Sequence, residues 1–305
     1  MRAFVAVTDN DWFDFLSRRP DLDEVNFWTP SGKPLAHMSP GQPVLFKLHA
    51  PHNYIAGGGF FSTFSVLPAS IAWETFGEMN GAPTMPEMRR RIERYRRVAA
   101  DPRQDYDVGC TILADPFFLD RSRWIPPPGD FHANVVRGKS YDLREGPGHE
   151  LWEQVLGARA LIRHAAAERI DGPMYGGEIA VRPRLGQGAF RVLVTDAYER
   201  RCAVTREKAL PVLQAAHIRP VSAGGVHSLD NGLLLRSDIH ALYDRGYVTV
   251  TPDLTFRVSR RLKDDFDNGE PYYPLSGSTI WAPSDESRKP SEKLLEWHAD
   301  TVYKG

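Results

Sequence analysis

This sequence predicts an α+β chain of two domains, and three observations carry that reading. Its 305 residues exceed what a single core of ordinary size needs. The first half breaks into short apolar runs separated by Pro and Gly turn signals, a strand pattern. The second half sets helical stripes between a few short strands. With 42% hydrophobic and 25% charged residues the composition is globular, which excludes disordered, collagen-like and coiled-coil chains. No apolar run approaches the roughly 18–20 residues of a membrane span. The N-terminus turns polar at Thr8-Asp9-Asn10-Asp11, too early for a secretory leader. Two cysteines, Cys110 and Cys202, supply neither a disulfide framework nor a four-cysteine zinc site. A cytoplasmic setting without a membrane partner is the expectation.

Within residues 1–148, strands are expected at Pro43-Val44-Leu45-Phe46-Lys47-Leu48, Tyr54-Ile55-Ala56, Phe60 to Leu67 and Val108 to Leu113. Ser39-Pro40-Gly41 and Gly57-Gly58-Gly59 read as turns or bulges. Met88, Ile92, Tyr95 and Ala99 recur at helical spacing between Pro86 and Ala100, with arginines covering the other faces. Together these give a small β-barrel or curled sheet with added helices. Residues 149–182 read as a linker helix and loop: Leu151, Val155, Ala158 and Ile162 share a stripe, and Asp171-Gly172-Pro173 ends it. Residues 183–305 form the second domain. It opens with a helix after Gly186-Gln187-Gly188, followed by a strand ending at His217, a strand at Leu233-Leu234-Leu235, a helix from Ser237 to Tyr243 and a strand at Tyr247 to Val250.

Net charge is −1, yet from Arg182 to Lys263 fourteen Lys and Arg residues face seven Asp and Glu. That segment is either a localised polyanion-binding surface or a solvated face. Inside it stand Ala216-His217-Ile218-Arg219-Pro220, Gly224-Gly225, Asp230-Asn231-Gly232-Leu233 and Asp238-Ile239-His240. This order and spacing resembles the HNH nuclease motif, in the branch written AAHI…GG…NGL.L…IH.L.D.G. The likeness extends upstream through Arg184 to Arg191, Tyr198 and Cys202-Ala203-Val204-Thr205. It implies a ββα-metal nuclease domain. Phosphodiester hydrolysis needs a deprotonated water, and an imidazole titrating near neutrality is the usual base. A divalent cation, Mg²⁺ or Mn²⁺, stabilises the phosphate and the leaving oxygen. The resemblance implies His217 as base, His240 as metal ligand and Asn231 as the residue that pins the loop and orients His217. The bland readings are a core histidine and a helix-face histidine.

One departure bears on the metal. The family commonly places an Asp or metal-binding His before the base, and here that position is Ala216. Asp244, four residues after His240 on one helix face, is either the second ligand or a tie at the helix end. Gln214 shares a strand face with Ala216 and offers a weak carbonyl donor. Thr205 stands where a zinc knuckle would have its second Cys, so no structural zinc is expected. His227 is read as an exposed loop residue, with phosphate contact as the alternative. Arg191, Arg219 and Arg236 are candidates to grip DNA phosphates.

The first domain carries Asn26-Phe27-Trp28-Thr29-Pro30, Met38-Ser39-Pro40-Gly41-Gln42-Pro43-Val44-Leu45-Phe46-Lys47 and Tyr54-Ile55-Ala56-Gly57-Gly58-Gly59-Phe60. These resemble the PUA-like superfamily, especially its EVE branch. The resemblance implies a barrel pocket that holds one flipped base between aromatic rings. It also implies a place among EVE-HNH proteins, which act as modification-dependent restriction endonucleases. Trp28, Trp73 and Trp124 are the cage candidates, against a core role for each. The expected function is cleavage of double-stranded DNA carrying modified cytosine, by a homodimer because duplex cleavage needs two active sites. The alternatives are an HNH nuclease acting on RNA or unmodified DNA, and a non-catalytic protein that binds modified nucleic acid.

Overall fold

The computed structural model describes residues 1–19, 21–96, 101, 103–167 and 185–305. The chain divides into two units, Met1–Arg184 and Leu185–Gly305. Asp171 to Gly177, Arg182 and Arg184, named above, lie outside the described residues, as do Arg97, Ala99 and Ala100. No helix among the described residues is long and apolar enough to cross a membrane.

The first unit runs β1 (Arg2–Thr8), α1 (Asn10–Leu16), β2 (Glu24–Thr29), β3 (Pro43–Leu48), β4 (Ile55–Pro68), α2 (Ala69–Phe76), α3 (Met85–Tyr95), β5 (Asp107–Phe118), β6 (Gly138–Asp142) and α4 (Gly146–Ala167). The strands form one sheet in the order β2-β5-β4-β3-β1-β6, with β1 and β3 parallel and the other pairs antiparallel. The expected barrel is therefore not closed: β2 and β6 are edges. The sheet nonetheless curls. Phe27 of β2 stacks on Phe46 of β3 at 6.1 Å although β5 and β4 lie between those strands in the sheet. The triple glycine is strand interior rather than a turn, and the register of β4 against β5 shifts between Gly58 and Phe60. Trp12 of α1 fills the concave side, edge-on to Phe27 at 5.4 Å and to Phe46 at 5.2 Å, with its indole N–H donated to the Asn26 carbonyl.

One helix differs from its expected role. Leu151 and Val155 of α4 enter the core beside Val5, Leu45 and Ile55. The described part of the expected linker helix is thus a packed element of the first unit. α3 starts where Thr84 caps the Glu87 N–H, and buries Met88 and Ile92. Its arginines are matched by protein acids: Arg89 with Glu93, Arg90 and Arg91 with Glu87, and Arg94 with Asp11. Three carboxylates thus offset four arginines, which leaves the helix basic in part, with Arg90 largely exposed.

The second unit runs α5 (Gln187–Ala197), β7 (Leu213–His217), β8 (Gly232–Arg236), α6 (Ser237–Asp244), β9 (Val248–Val250), β10 (Phe256–Val258), α7 (Arg261–Phe266) and α8 (Glu292–Thr301). β7 and β8 form an antiparallel pair, and α6 follows β8 directly. Phe190 and Val194 of α5, Leu213 and Ala216 of β7, Leu233 to Leu235 of β8, and Ile239 and Tyr243 of α6 share one core. That burial presses both helices onto the hairpin and sets the position of the site.

Candidate functional site

His217 ends β7 opposite Gly232 of β8. Ala216 faces the core, so the alternation of the strand turns His217 toward the rim, where it is half-buried. Phe190 lies flat against its ring, with centroids 4.0 Å apart and planes 12° apart. Burial, and then the nearby His227 and His240, push the His217 pKa down to about 4, while Asp244 pulls it the other way. His217 is therefore neutral at pH 7, and in the metal-free, DNA-free chain it is a weaker base than the near-neutral imidazole expected from the sequence.

Asn231 is fully buried just before β8 and uses its whole amide. Its Oδ1 accepts from the Arg219 N–H at 2.8 Å, and its Nδ2 donates to the carbonyls of Arg219 at 3.0 Å and Val226 at 2.9 Å. The loop after β7 is thereby tied to the start of β8. Gly225 is required in that loop because a Cβ there would strike the Arg219 carbonyl oxygen. The loop brings back His227, whose Nδ1 lies 2.9 Å from Nε2 of His217. His227 is thus not the exposed loop residue expected from the sequence. A histidine behind Gly-Gly in a loop that returns to the strand was the available signal.

On α6, His240 and Asp244 lie one turn apart, with Nε2 and Oδ2 3.3 Å from each other. The other ring nitrogen of His240 is held by Gln214 of β7, whose Oε1 accepts from Nδ1 at 2.7 Å. Gln214, considered from the sequence as a metal donor, instead orients the His240 ring and leaves Nε2 outward. No group of three His, Cys, Asp or Glu able to hold a metal occurs among the described residues. An imidazole and a carboxylate on one exposed helix face do not make a closed zinc cage. They would supply one nitrogen and one oxygen ligand to a divalent ion, leaving its other positions to water and phosphate oxygen.

The three arginines separate. Arg236 is engaged with the Asp238 carboxylate through Nε at 2.7 Å and Nη2 at 2.8 Å, and Asp238 also accepts from Tyr272. A phosphate would have to displace that fork, so Arg236 is placed as a brace at the start of α6. Arg219 donates Nε to the Ala223 carbonyl and lies over the Trp297 ring at 5.2 Å. Arg191 is half-buried on α5, one residue from Phe190. The Cys202 turn is held by its sulfur, which accepts from the N–H groups of Thr205 and Arg236.

The first unit holds a cavity of about 610 Å³ lined by the edge strand β2, by Val7 of β1 and by Val136 and Arg137 just before the other edge strand, β6. Trp12, Phe27, Trp28, His49 and Tyr95 give it aromatic walls, and Asp9 a carboxylate. Tyr95 donates its hydroxyl to Asp9 at 2.6 Å and stacks on His49 at 6.1 Å. Burial and then that carboxylate hold the Tyr95 hydroxyl well above its usual range. Burial lowers the His49 pKa, with Asp9 opposing. Of the three tryptophans expected to line a pocket, Trp28 lines this cavity. Trp124 packs on His52 and Phe13 and donates to the Leu119 carbonyl, while Trp73 is half-buried on α2. Tyr95, His49 and Asp9 escaped the sequence reading because their approach depends on how the sheet curls.

No curated protein matches the chain. Among solved structures, an ASCH protein from Zymomonas mobilis covers 50% of this chain and 94% of its own at 9% identity, with a TM-score of 0.35. A point mutant of the Zymomonas mobilis ASCH protein covers 50% and 96% at 8% identity, also with a TM-score of 0.35. A modification-dependent TagI restriction endonuclease covers 97% of this chain and 81% of its own at 14% identity, with a TM-score of 0.30. Residues 202–251 match the family model of the HNH endonucleases. The match runs from the Cys202 turn through the hairpin, the pinned loop and α6 to the end of β9, and so places the similarity to HNH endonucleases within the second unit.

Proposed function

We propose that the chain is a divalent-metal-dependent endonuclease that cuts double-stranded DNA carrying modified cytosine. The observation that carries the nuclease reading is the match of residues 202–251 to the HNH endonuclease family model, with His217 at the strand end and His240 beside Asp244 on the following helix. In this reading His217 takes the proton of the attacking water. Asn231 keeps the loop and strand end in place, and Gln214 keeps the His240 ring turned outward. His240 and Asp244 hold Mg²⁺ or Mn²⁺, which when bound neutralises charge on the phosphate and on the leaving 3′ oxygen. Arg191 and Arg219 are the phosphate-contact candidates that remain.

The first unit is proposed as the base reader. Its cavity is large enough for an extruded nucleobase with a substituent. Trp28 and Tyr95 supply stacking faces, and Asp9 is the acceptor for an exocyclic amine such as that of cytosine. Cutting both strands requires two active sites, so the working species is proposed to be a homodimer.

The test is cleavage of plasmid DNA with Mg²⁺ or Mn²⁺, with methylated, hydroxymethylated and unmodified cytosine in parallel. We expect cleavage of modified DNA that EDTA and His217→Ala each abolish. Equal cleavage of unmodified DNA, or cleavage of RNA, removes the reader assignment. Selective binding with no cleavage removes the enzyme assignment.

A further inference from the structure

Every route by which His217 acts as a base depends on which ring nitrogen carries its proton. The fold sets a partner on one of them. His227 Nδ1 lies 2.9 Å from His217 Nε2, so a single hydrogen is shared between the two. Were His227 the donor, His217 Nε2 would be occupied as an acceptor and its proton would sit on Nδ1. Neither nitrogen would then hold a free lone pair. Were His217 the donor, Nδ1 would be the free lone pair. A general base therefore exists only in the second arrangement.

From this geometry we infer that His227 is the positioning residue of the nuclease centre, accepting the Nε2–H of His217 and so fixing the tautomer whose Nδ1 takes the proton. The inference rests on the nuclease reading above and assigns a residue that reading leaves without a task. The rest of the fold serves the contact. Asn231 Nδ2 holds the Val226 carbonyl, one residue before His227. Phe190 lies flat on the His217 ring and 5.7 Å from that of His227, which stops His217 from turning away. The step balances without a further reagent. One water proton moves to Nδ1 and gives an imidazolium whose Nε2–H stays on His227. The hydroxide forms the new P–O bond as the bond to the 3′ oxygen breaks, and that oxygen takes a proton from solvent.

The experiment compares wild type, His227→Ala and His227→Asn as full chains. The Asn side chain puts an acceptor oxygen near the place of Nδ1. Nitrogen-15 spectra of the metal-free protein at neutral pH should show His217 protonated at Nε2 in wild type and in His227→Asn. In His227→Ala they should show a mixture of tautomers. On the modified plasmid, His227→Ala should lower kcat by at least about tenfold, within the roughly 10²–10⁴ a positioned base supplies, and His227→Asn should recover most of it. KM for DNA should stay within about twofold, because no DNA contact is removed. Wild-type kcat in His227→Ala, or a wild-type spectrum with His217 protonated at Nδ1, overturns the inference. Its failure is distinct from failure of the nuclease reading, which shows as undiminished cleavage by His217→Ala. The spectra decide the tautomer even for a chain that does not cleave.

Discussion

His298, on α8, is 2% exposed and packs face to face on Tyr243 at 3.7 Å. Its Nε2 lies 3.1 Å from the Tyr243 carbonyl, which can only accept, so Nε2 carries the hydrogen and Nδ1 accepts from the Thr249 hydroxyl at 2.9 Å. Burial pushes its pKa down to about 4. Between pH 6.5 and 4 the unfolded chain takes up a proton that the folded chain refuses, so this stability is full above 6.5 and is lost as pH falls. His298→Gln has no such titration. Its urea stability should converge on that of wild type by about 2 kcal/mol between pH 7 and pH 5; a constant difference refutes the assignment. Asn231 is the other residue whose neighbours set its role. Asn231→Ala strips partners from three backbone groups, at about 1–3 kcal/mol for each left buried and unpaired. Both stability and cleavage should fall, read by thermal melts and the plasmid assay. His217, Asn231 and His240 were singled out because their order and flanking residues resemble the HNH motif. The link from His217 to His227 depends on a loop conformation, and no residue type announces it.

At the scale of elements, α6 is short and is aimed by what it buries. Ile239 and Tyr243 face the core, which leaves His240 and Asp244 on the opposite rim. His240→Ala should raise the Mn²⁺ concentration for half-maximal cleavage about tenfold or more, or abolish activity. Asp244→Ala should do the same; a metal titration matching wild type would assign Asp244 to the helix end alone. The strands at Pro43–Leu48 and Val108–Leu113 and the helix that follows Arg236 matched the period of the sequence. The role of α4 did not follow from that period. Its apolar stripe fits either a tether or a core helix, and only contact with Val5, Leu45 and Ile55 decides between them.

At the scale of the whole molecule, the two units make separate predictions. Residues 1–184, which retain α4 and with it the packed core, should bind duplex DNA containing modified cytosine more tightly than unmodified duplex at matched salt. One added methyl contributes about 0.8 kcal/mol, a several-fold preference. Tyr95 is 42% exposed on the cavity wall, so Tyr95→Ala should lose that preference while the fragment stays folded. Trp28→Ala should lose preference and stability together, since the indole is buried and bonded to the Asn80 carbonyl. Trp73→Ala and Trp124→Ala should leave the preference intact. Equal affinities for both duplexes would remove the reader.

The sequence by itself determined the two-part α+β organisation and the order of the nuclease elements. Its resemblance to the HNH motif singled out His217, Asn231 and His240 as the candidate base, loop-pinning residue and helix ligand. Tertiary structure alone decided that the first sheet curls without closing, and that the first unit holds a cavity lined by Tyr95, His49 and Asp9. It also decided that Gln214 holds His240 and that the loop after β7 brings His227 to His217. These outcomes are contacts between residues distant in the chain or set by loop closure. They follow from which surfaces pack together, a property of the folded core that no local pattern encodes.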